Sequence, residues 1–322
     1  MSALRHIARR LLLSVVLVFL VASAALFLTR LTPGDYASDV LGFGASAETV
    51  ARARARYGLD QPLLTQYGHW VARTARLDLG TSLMYGRPVA ELVGRRFLNT
   101  ALLGLTAILL ATLVGVPLGV LTGSGRRGVA PAIVRTLSIL SVSIPPLLTS
   151  LLFVMIAART GWLPIGGMTS ADSPGAWSAW LQDVALHLPV PALALALPMA
   201  AMLERLQSQS MDETLREPFV VATLGRGVPP GRLIWRDTFC VALKPVLSIW
   251  GVIFGSLLSG SFAVEIVTSW PGLGRLMYDA LRARDVYLVA GCAAAGATFI
   301  AAGTLLSDLA LAFVDPRLGE EA

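Results

Sequence analysis

The chain has 322 residues, 55% of them hydrophobic and only 14% charged, with a mean hydropathy of +0.69. A soluble globule carries roughly a quarter charged residues, so lipid is the solvent for much of this chain. The net charge of +6 does not point to nucleic acid, because the arginines cluster between long apolar runs, as in the loops of membrane proteins. Two cysteines, Cys240 and Cys292, stand in neither CxxC spacing nor beside a histidine cluster, which supports neither a disulfide framework nor a zinc site.

A spanning helix needs roughly 20 apolar residues, and a mid-membrane Arg, Lys or Asp costs about 2.5–3.5 kcal/mol. Uncharged runs therefore predict spans at 11–29, 97–124, 136–158, 184–203, 245–264 and 286–307. The fold class is all-α and polytopic, with six transmembrane helices. Arg5, Arg9 and Arg10 precede the first run, and Arg126 and Arg127 separate the second and third. Arg205, Arg216, Arg226, Arg232, Arg236 and Lys244 crowd the loop after the fourth. The positive-inside rule makes these segments and both termini cytoplasmic. The basic start and the "ASA" at 22–24 imitate a signal peptide, but the apolar run continues through 26–28, which favours a retained anchor.

Four regions are expected: 1–29, the first span with a cytoplasmic N-terminus; 30–96, an extracytoplasmic helical subdomain; 97–313, a five-helix membrane core; and 314–322, a cytoplasmic tail. In the subdomain Ser46 caps a helix with Glu48 in its first turn and Gly58 ends it. A second helix follows Asp60-Gln-Pro with Leu63, Leu64, Tyr67 and Val71 on one face. Small residues four apart, Gly115/Gly119/Gly123 and Gly251/Gly255/Ser259, suit close helix packing within the bundle. Pro117, Pro145, Pro146, Pro189, Pro191 and Pro198 fall in or beside apolar runs and bend or break helices there.

The most informative stretch runs from 215 to 251, within the cytoplasmic loop 205–244 and on into the fifth span. Residues 219–224 predict a short helix along the membrane face. Gly225 and Gly227 let it end sharply, and Pro229-Pro230-Gly231 turns the chain toward the fifth span. A helix held this way can dock in a partner's groove.

These residues resemble the cytoplasmic motif of ABC importer permeases, carried here by Phe219, Val220, Ala222, Arg226, Gly227, Val228, Arg236 and Pro245. Val221, Thr223, Leu224, Gly225 and Asp237 depart from it. A second resemblance lies in "VEIVTSWPGLGRLMYDALRARDVYLV" at 264–289, where Glu265, Pro271, Gly272, Gly274, Leu276, Ala280, Arg284 and Asp285 agree, while Val286 and Tyr287 differ. A third lies in "RLTPGD" at 30–35, "YGLDQPLLTQY" at 57–67 and "DLGTS" at 78–82, similar to the first permease of dipeptide, oligopeptide and nickel importers.

The resemblance implies a type I importer permease fold in a bacterial inner membrane, heterodimeric with a second permease. Two ATPase subunits and an extracytoplasmic substrate-binding protein complete the assembly, and the work is done by alternating access. It implies a coupling helix comprising Glu217, Phe219, Val220, Ala222, Thr223, Gly225, Arg226 and Gly227. Pro271, Gly272, Gly274, Arg284 and Asp285 are implied at the extracytoplasmic gate or binding-protein contact. Ser141, Ser143, Ser256 and Ser259 are candidates for the translocation path, although serine often bonds its own helix.

No phosphate loop precedes Lys244, so this chain is expected to be non-catalytic, to bind no cofactor and no metal, and to leave ATP and Mg2+ to its partners. The spans show no central acid, which disfavours the alternative of an ion-coupled secondary transporter or channel.

Overall fold

The structure is a computed structural model describing residues 2–37, 46–125, 128–170 and 177–314; Arg126, Arg127 and nearly all of the predicted tail lie outside the described residues. Helix α1 covers Ser2–Leu31, α2 Ala47–Tyr57, α3 Leu63–Thr74 and α4 Val89–Gly123. Then come α5 (Val129–Ser143), α6 (Pro146–Thr160), α7 (Trp177–His187) and α8 (Pro189–Thr214). The chain continues as α9 (Pro218–Gly225), α10 (Pro230–Arg232), a π-helical turn Leu233–Thr238, α11 (Phe239–Ala242), α12 (Lys244–Val267), α13 (Leu273–Arg282) and α14 (Val286–Val314). Among the described residues, β pairing amounts to an isolated antiparallel bridge between Thr81 and Pro88.

Among the described residues, five helical segments are long and apolar enough to cross a membrane: Ala8–Leu31, Val89–Gly123, Pro189–Thr214, Lys244–Val267 and Val286–Asp308. The run expected as a single third span is broken instead. Its halves, α5 and α6, meet at 107°, and they make a sixth span only if taken together. The break falls where two prolines follow one another. Pro146 starts α6 at a position needing no backbone donor, and Pro145, at φ −61° and ψ 148°, holds the residue before it out of the helix. The fourth run divides for a similar reason. Its first residues belong to α7, and Pro189 opens α8, which then runs 11 residues past the predicted end because Glu204 and Gln207 are buried within it.

The chain forms two compact units. One comprises residues 9–100 and 271–299. Here α2 has the expected caps: Ser46 Oγ accepts from the Thr49 amide, and Gly58 closes the helix at φ +65°. Tyr36, Ala37 and Leu59 form a small core with Tyr57, and Arg54 pairs with Asp35 at 2.5 Å. On α3 the buried face is Gln66 and Trp70, flanked by Tyr67 and Val71. Leu64, about 100° around the helix from Leu63, is 76% exposed and does not belong to that face. Trp70 packs with Ala22 and Leu26 of α1 and with Val286 and Ala290 of α14. Tyr67 shares a hydrogen bond with Ser23, and Arg30 donates to Gln66.

The other unit comprises residues 1–8, 101–270 and 300–322, with α8 packed against α5, α6 and α12. The first glycine stripe lets α4 lie directly on α8. A Cβ at Gly115 would stand 2.4 Å from the Ala200 carbonyl oxygen, one at Gly119 2.5 Å from Gln207 Cβ, and one at Gly123 2.3 Å from the Ser208 carbonyl oxygen. The second stripe does less. Gly251 meets Thr304 of α14 at 3.1 Å, whereas Gly255 faces open space. Thr149 of α6 donates to the Ala194 carbonyl at 2.8 Å, and Ser307 of α14 donates to that of Leu247 at 2.8 Å. Buried hydroxyls thus cross-link helices where lipid offers little drive for association.

Candidate functional site: a presented loop helix, a clasped corner and a polar groove

The loop 205–244 folds within the second unit as its residues require. Pro218 occupies the first turn of α9, where its missing donor costs nothing, and Gly227 turns the chain at φ +76°. Only two residues anchor the helix by burial: Val220 and Thr223 are 4% and 5% exposed. Phe219, Val221 and Leu224 project outward at 37%, 69% and 47% exposure. Glu217, Ala222, Gly225, Arg226 and Gly227 are exposed as well. Arg226 donates to Thr223 Oγ1 at 2.9 Å, and that hydroxyl donates to the Phe219 carbonyl at 2.8 Å, so the guanidinium also secures the helix end.

Beyond it, Trp235 stands 55% exposed on the π-helical turn, stacked obliquely on Phe239. Ile234 and Phe239 pack on a core of Val120, Met211 and Ala242, which ties the loop to α4 and α8. Exposed apolar residues on a short, rigidly seated helix are what an interface presents to its partner. The departures at Val221 and Leu224 add to this outward apolar face.

The corner around α13 lies in the first unit and joins two of the sequence motifs. Asp285 is 0% exposed. Its Oδ2 accepts from Ser82 Oγ at 2.6 Å and from the Met84 amide at 3.0 Å, while Oδ1 accepts from the Leu288 amide at 3.1 Å, capping α14. Asp285 therefore offers no surface for the direct partner contact expected of it. It clasps the hairpin of "DLGTS" from inside. Arg284 adopts φ +54°, with the Asp285 amide bonded to the Ala280 carbonyl and its own amide to that of Leu281, the usual glycine-type helix stop made with an arginine. Pro271 and Gly274 are half-buried and Gly272 is buried.

Two residues unmarked in the sequence analysis hold this turn. Asn99 donates to the Pro271 carbonyl, and Thr100 Oγ1 accepts from the Leu273 amide. Their only sequence signal was an adjacent polar pair inside an apolar run.

Two of the four path candidates bond their own helices, as serine often does. Ser143 and Ser256 donate to the carbonyls of Ile139 and Ile253 on their own helices, Ser141 is half-buried and Ser259 is exposed.

Glu204, the residue after the predicted fourth run, is 1% exposed inside α8. Its Oε1 accepts from Thr122 Oγ1 at 2.5 Å, and Arg135 donates to the Thr122 carbonyl at 2.6 Å. Glu204 Oε2 and both ends of the Gln207 amide are buried without partners among the described residues. Between α5 and α8 lies a groove of about 490 Å3 lined by Arg135, Ile139, Glu204, Arg205, Ser208, Gln209 and Asp212.

Fold and loop together define a polytopic membrane protein with a short helix presented between two long apolar ones. Residues 115–320 match the family of binding-protein-dependent transport system inner membrane components, and residues 3–104 match the N-terminal family of such components. The chain belongs to this family of inner-membrane transport components, the ABC importer permeases that its motifs resemble. It is 31% identical over 314 residues to a Sinorhizobium fredii protein described as a "probable peptide ABC transporter permease protein", covering 97% of this chain and 98% of that one. It is 32% identical over 283 residues to the glutathione transport system permease protein GsiC of Salmonella typhimurium, covering 88% of each.

Proposed function

We propose that this chain is the translocating membrane subunit of an ATP-driven importer of di- or oligopeptides. The loop 205–244 and both termini face the cytoplasm, and 30–96 forms the extracytoplasmic subdomain. Its partners are a second permease, two ATPase subunits that hold ATP and Mg2+, and a binding protein delivering solute. The chain itself carries no cofactor. The peptide assignment is supported by the names of the relatives and by the similarity along nearly the whole chain.

The observation that carries the coupling is α9, seated by Val220 and Thr223 while Phe219, Val221 and Leu224 face outward. In this reading these side chains fill a groove on an ATPase subunit. The core of Val120, Met211 and Ala242 passes the push from the loop to α4 and α8. Such transmission needs a rigid connection, and close-packed interiors supply it. Glu217, Ala222, Gly225, Arg226 and Gly227 shape the helix ends. Pro271, Gly274 and Arg284 form the binding-protein face, which the buried Gly272 and Asp285 hold in shape from within.

The test is copurification and uptake with a Phe219→Ala/Leu224→Ala double variant. Loss of two interface anchors, each worth about 2 kcal/mol, should detach the ATPase subunits or cut peptide uptake at least tenfold. Unaltered association and uptake would refute the coupling role. Uptake driven by an ion gradient, with no ATPase subunit associated, would replace the whole reading by a secondary transporter.

A further inference from the structure

We infer that the groove between α5 and α8 is a subsite for the two charged termini of a short, free peptide, with Glu204 receiving the ammonium group and Arg135 and Arg205 the carboxylate. This rests on the peptide reading above and adds where and by what chemistry this subunit holds its cargo.

A carboxylate removed from water is costly unless paired. Glu204 is 1% exposed, with a single hydroxyl on Oε1 and, among the described residues, no partner for Oε2. Glu204 is therefore an unfilled acceptor suited to a cationic donor. The groove it lines also holds two guanidinium side chains, the hydroxyl of Ser208 and the amide of Gln209. Arg135 is held in place by its bond to the Thr122 carbonyl, the residue whose hydroxyl reaches Glu204. Arg135 and Glu204, of opposite charge, are thus both held on Thr122, as recognition of a zwitterion requires, with Arg205, Ser208 and Gln209 beside them and the Asp212 carboxylate, paired with Arg216, at the far end of the groove.

Size selects within that class. A groove of about 490 Å3 falls in the range of small-molecule sites, roughly 300–1,000 Å3. Along α8 its lining runs from Glu204 to Asp212, about 12 Å at 1.5 Å per residue. Arg205 adjoins Glu204 in sequence and Arg135 bonds to the Thr122 that reaches Glu204, so the three anchors stand together at one end of this row and suit the closely spaced termini of a dipeptide, about two residues at roughly 3.5 Å each. The other large groove, about 540 Å3 along Val129, Ala132, Ile133, Thr136 and Leu137, offers a nearly wholly apolar wall and none of this charge complementarity.

The experiment uses the assembled transporter in lipid and a dipeptide bearing a diazirine on its second side chain, compared with its N-acetyl and C-amide derivatives. Crosslinks are mapped by mass spectrometry. The free dipeptide should label α5 and the 200–214 stretch of α8, at least tenfold more than either blocked form. Glu204→Gln, which keeps an acceptor for Thr122, should remove the preference for a free amine. Arg135→Gln, which keeps a donor for the Thr122 carbonyl and removes the charge, should remove the preference for a free carboxylate. Equal labelling by free and blocked peptides, labels elsewhere in the chain, or unchanged preferences in both variants would overturn the inference. If uptake of free dipeptide persists in that case, the subsite falls and the importer reading stands. A complex that takes up no peptide sinks both.

Discussion

Replacing Asp285 by asparagine tests whether this buried carboxylate is what holds the hairpin 78–88. The carboxylate accepts three hydrogen bonds, from Ser82 Oγ, the Met84 amide and the Leu288 amide, at zero exposure. An asparagine has one acceptor oxygen, so its NH2 must face either the Leu288 amide or the Ser82 and Met84 donors. At least one donor is left unsatisfied, which costs about 1–3 kcal/mol, and the surviving bonds lose charge assistance worth about 1 kcal/mol.

The expected loss of roughly 3 kcal/mol corresponds to a ~100-fold change in an opening equilibrium. Hydrogen exchange on the detergent-solubilised protein reads it directly: the Met84 and Leu288 amides should exchange about 100-fold faster. Amides of α8, in the other unit, should keep their protection. Serine 82 supplies the control, since Ser82→Ala combined with Asp285→Asn should cost clearly less than the two separate losses added. Unchanged protection at Met84 and Leu288 would show that the backbone of the hairpin, through its Gly80–Val89 and Ser82–Arg87 bonds, suffices without the clasp.

Three further expectations follow from the geometry. Gly123→Ala sets a methyl 2.3 Å from the Ser208 carbonyl oxygen and should destabilise the helix pair by about 1–3 kcal/mol. Gly255→Ala, with nothing within 4 Å, should be neutral or stabilising by up to about 1 kcal/mol; thermal unfolding in detergent compares them. Arg284→Gly should relieve left-handed backbone strain and raise stability by roughly 1 kcal/mol, whereas the β-branched Arg284→Val should lower it, as equilibrium unfolding would reveal. Burial, then the neighbouring Tyr57 and Asp285, push the Tyr36 phenol above its ordinary value. Since the folded form then holds its proton where the unfolded chain has lost it, stability should fall as pH rises above about 10. Tyr36→Phe should flatten that alkaline slope in a pH series of melting curves.

The legible part of the molecule is the part governed by local chemistry. Ser46 and Gly58 bound α2 because caps act on adjacent backbone groups, and the short helix at 218–225 was readable from its glycine and proline neighbours. The glycine stripe of α4 announced a close helix contact because small side chains let backbones approach, although α8 as its partner was not announced. The motifs at 78–82 and 264–289 were visible as resemblances, but nothing in them said that one carboxylate would join them. Asp285 and Ser82 stand 203 residues apart.

Composition and the spacing of apolar runs by themselves determined that this is a helical membrane protein, because the cost of charge in lipid is paid residue by residue. They also fixed roughly where its helices lie and which loop carries the exposed helix. Tertiary structure alone decided that the 136–158 run is bent through 107°, that Glu204 is buried within the protein, and that Asp285 faces inward. The reason is physical. Whether a polar side chain is solvated or satisfied inside depends on partners contributed by distant helices, and the chain brings those together only when it folds.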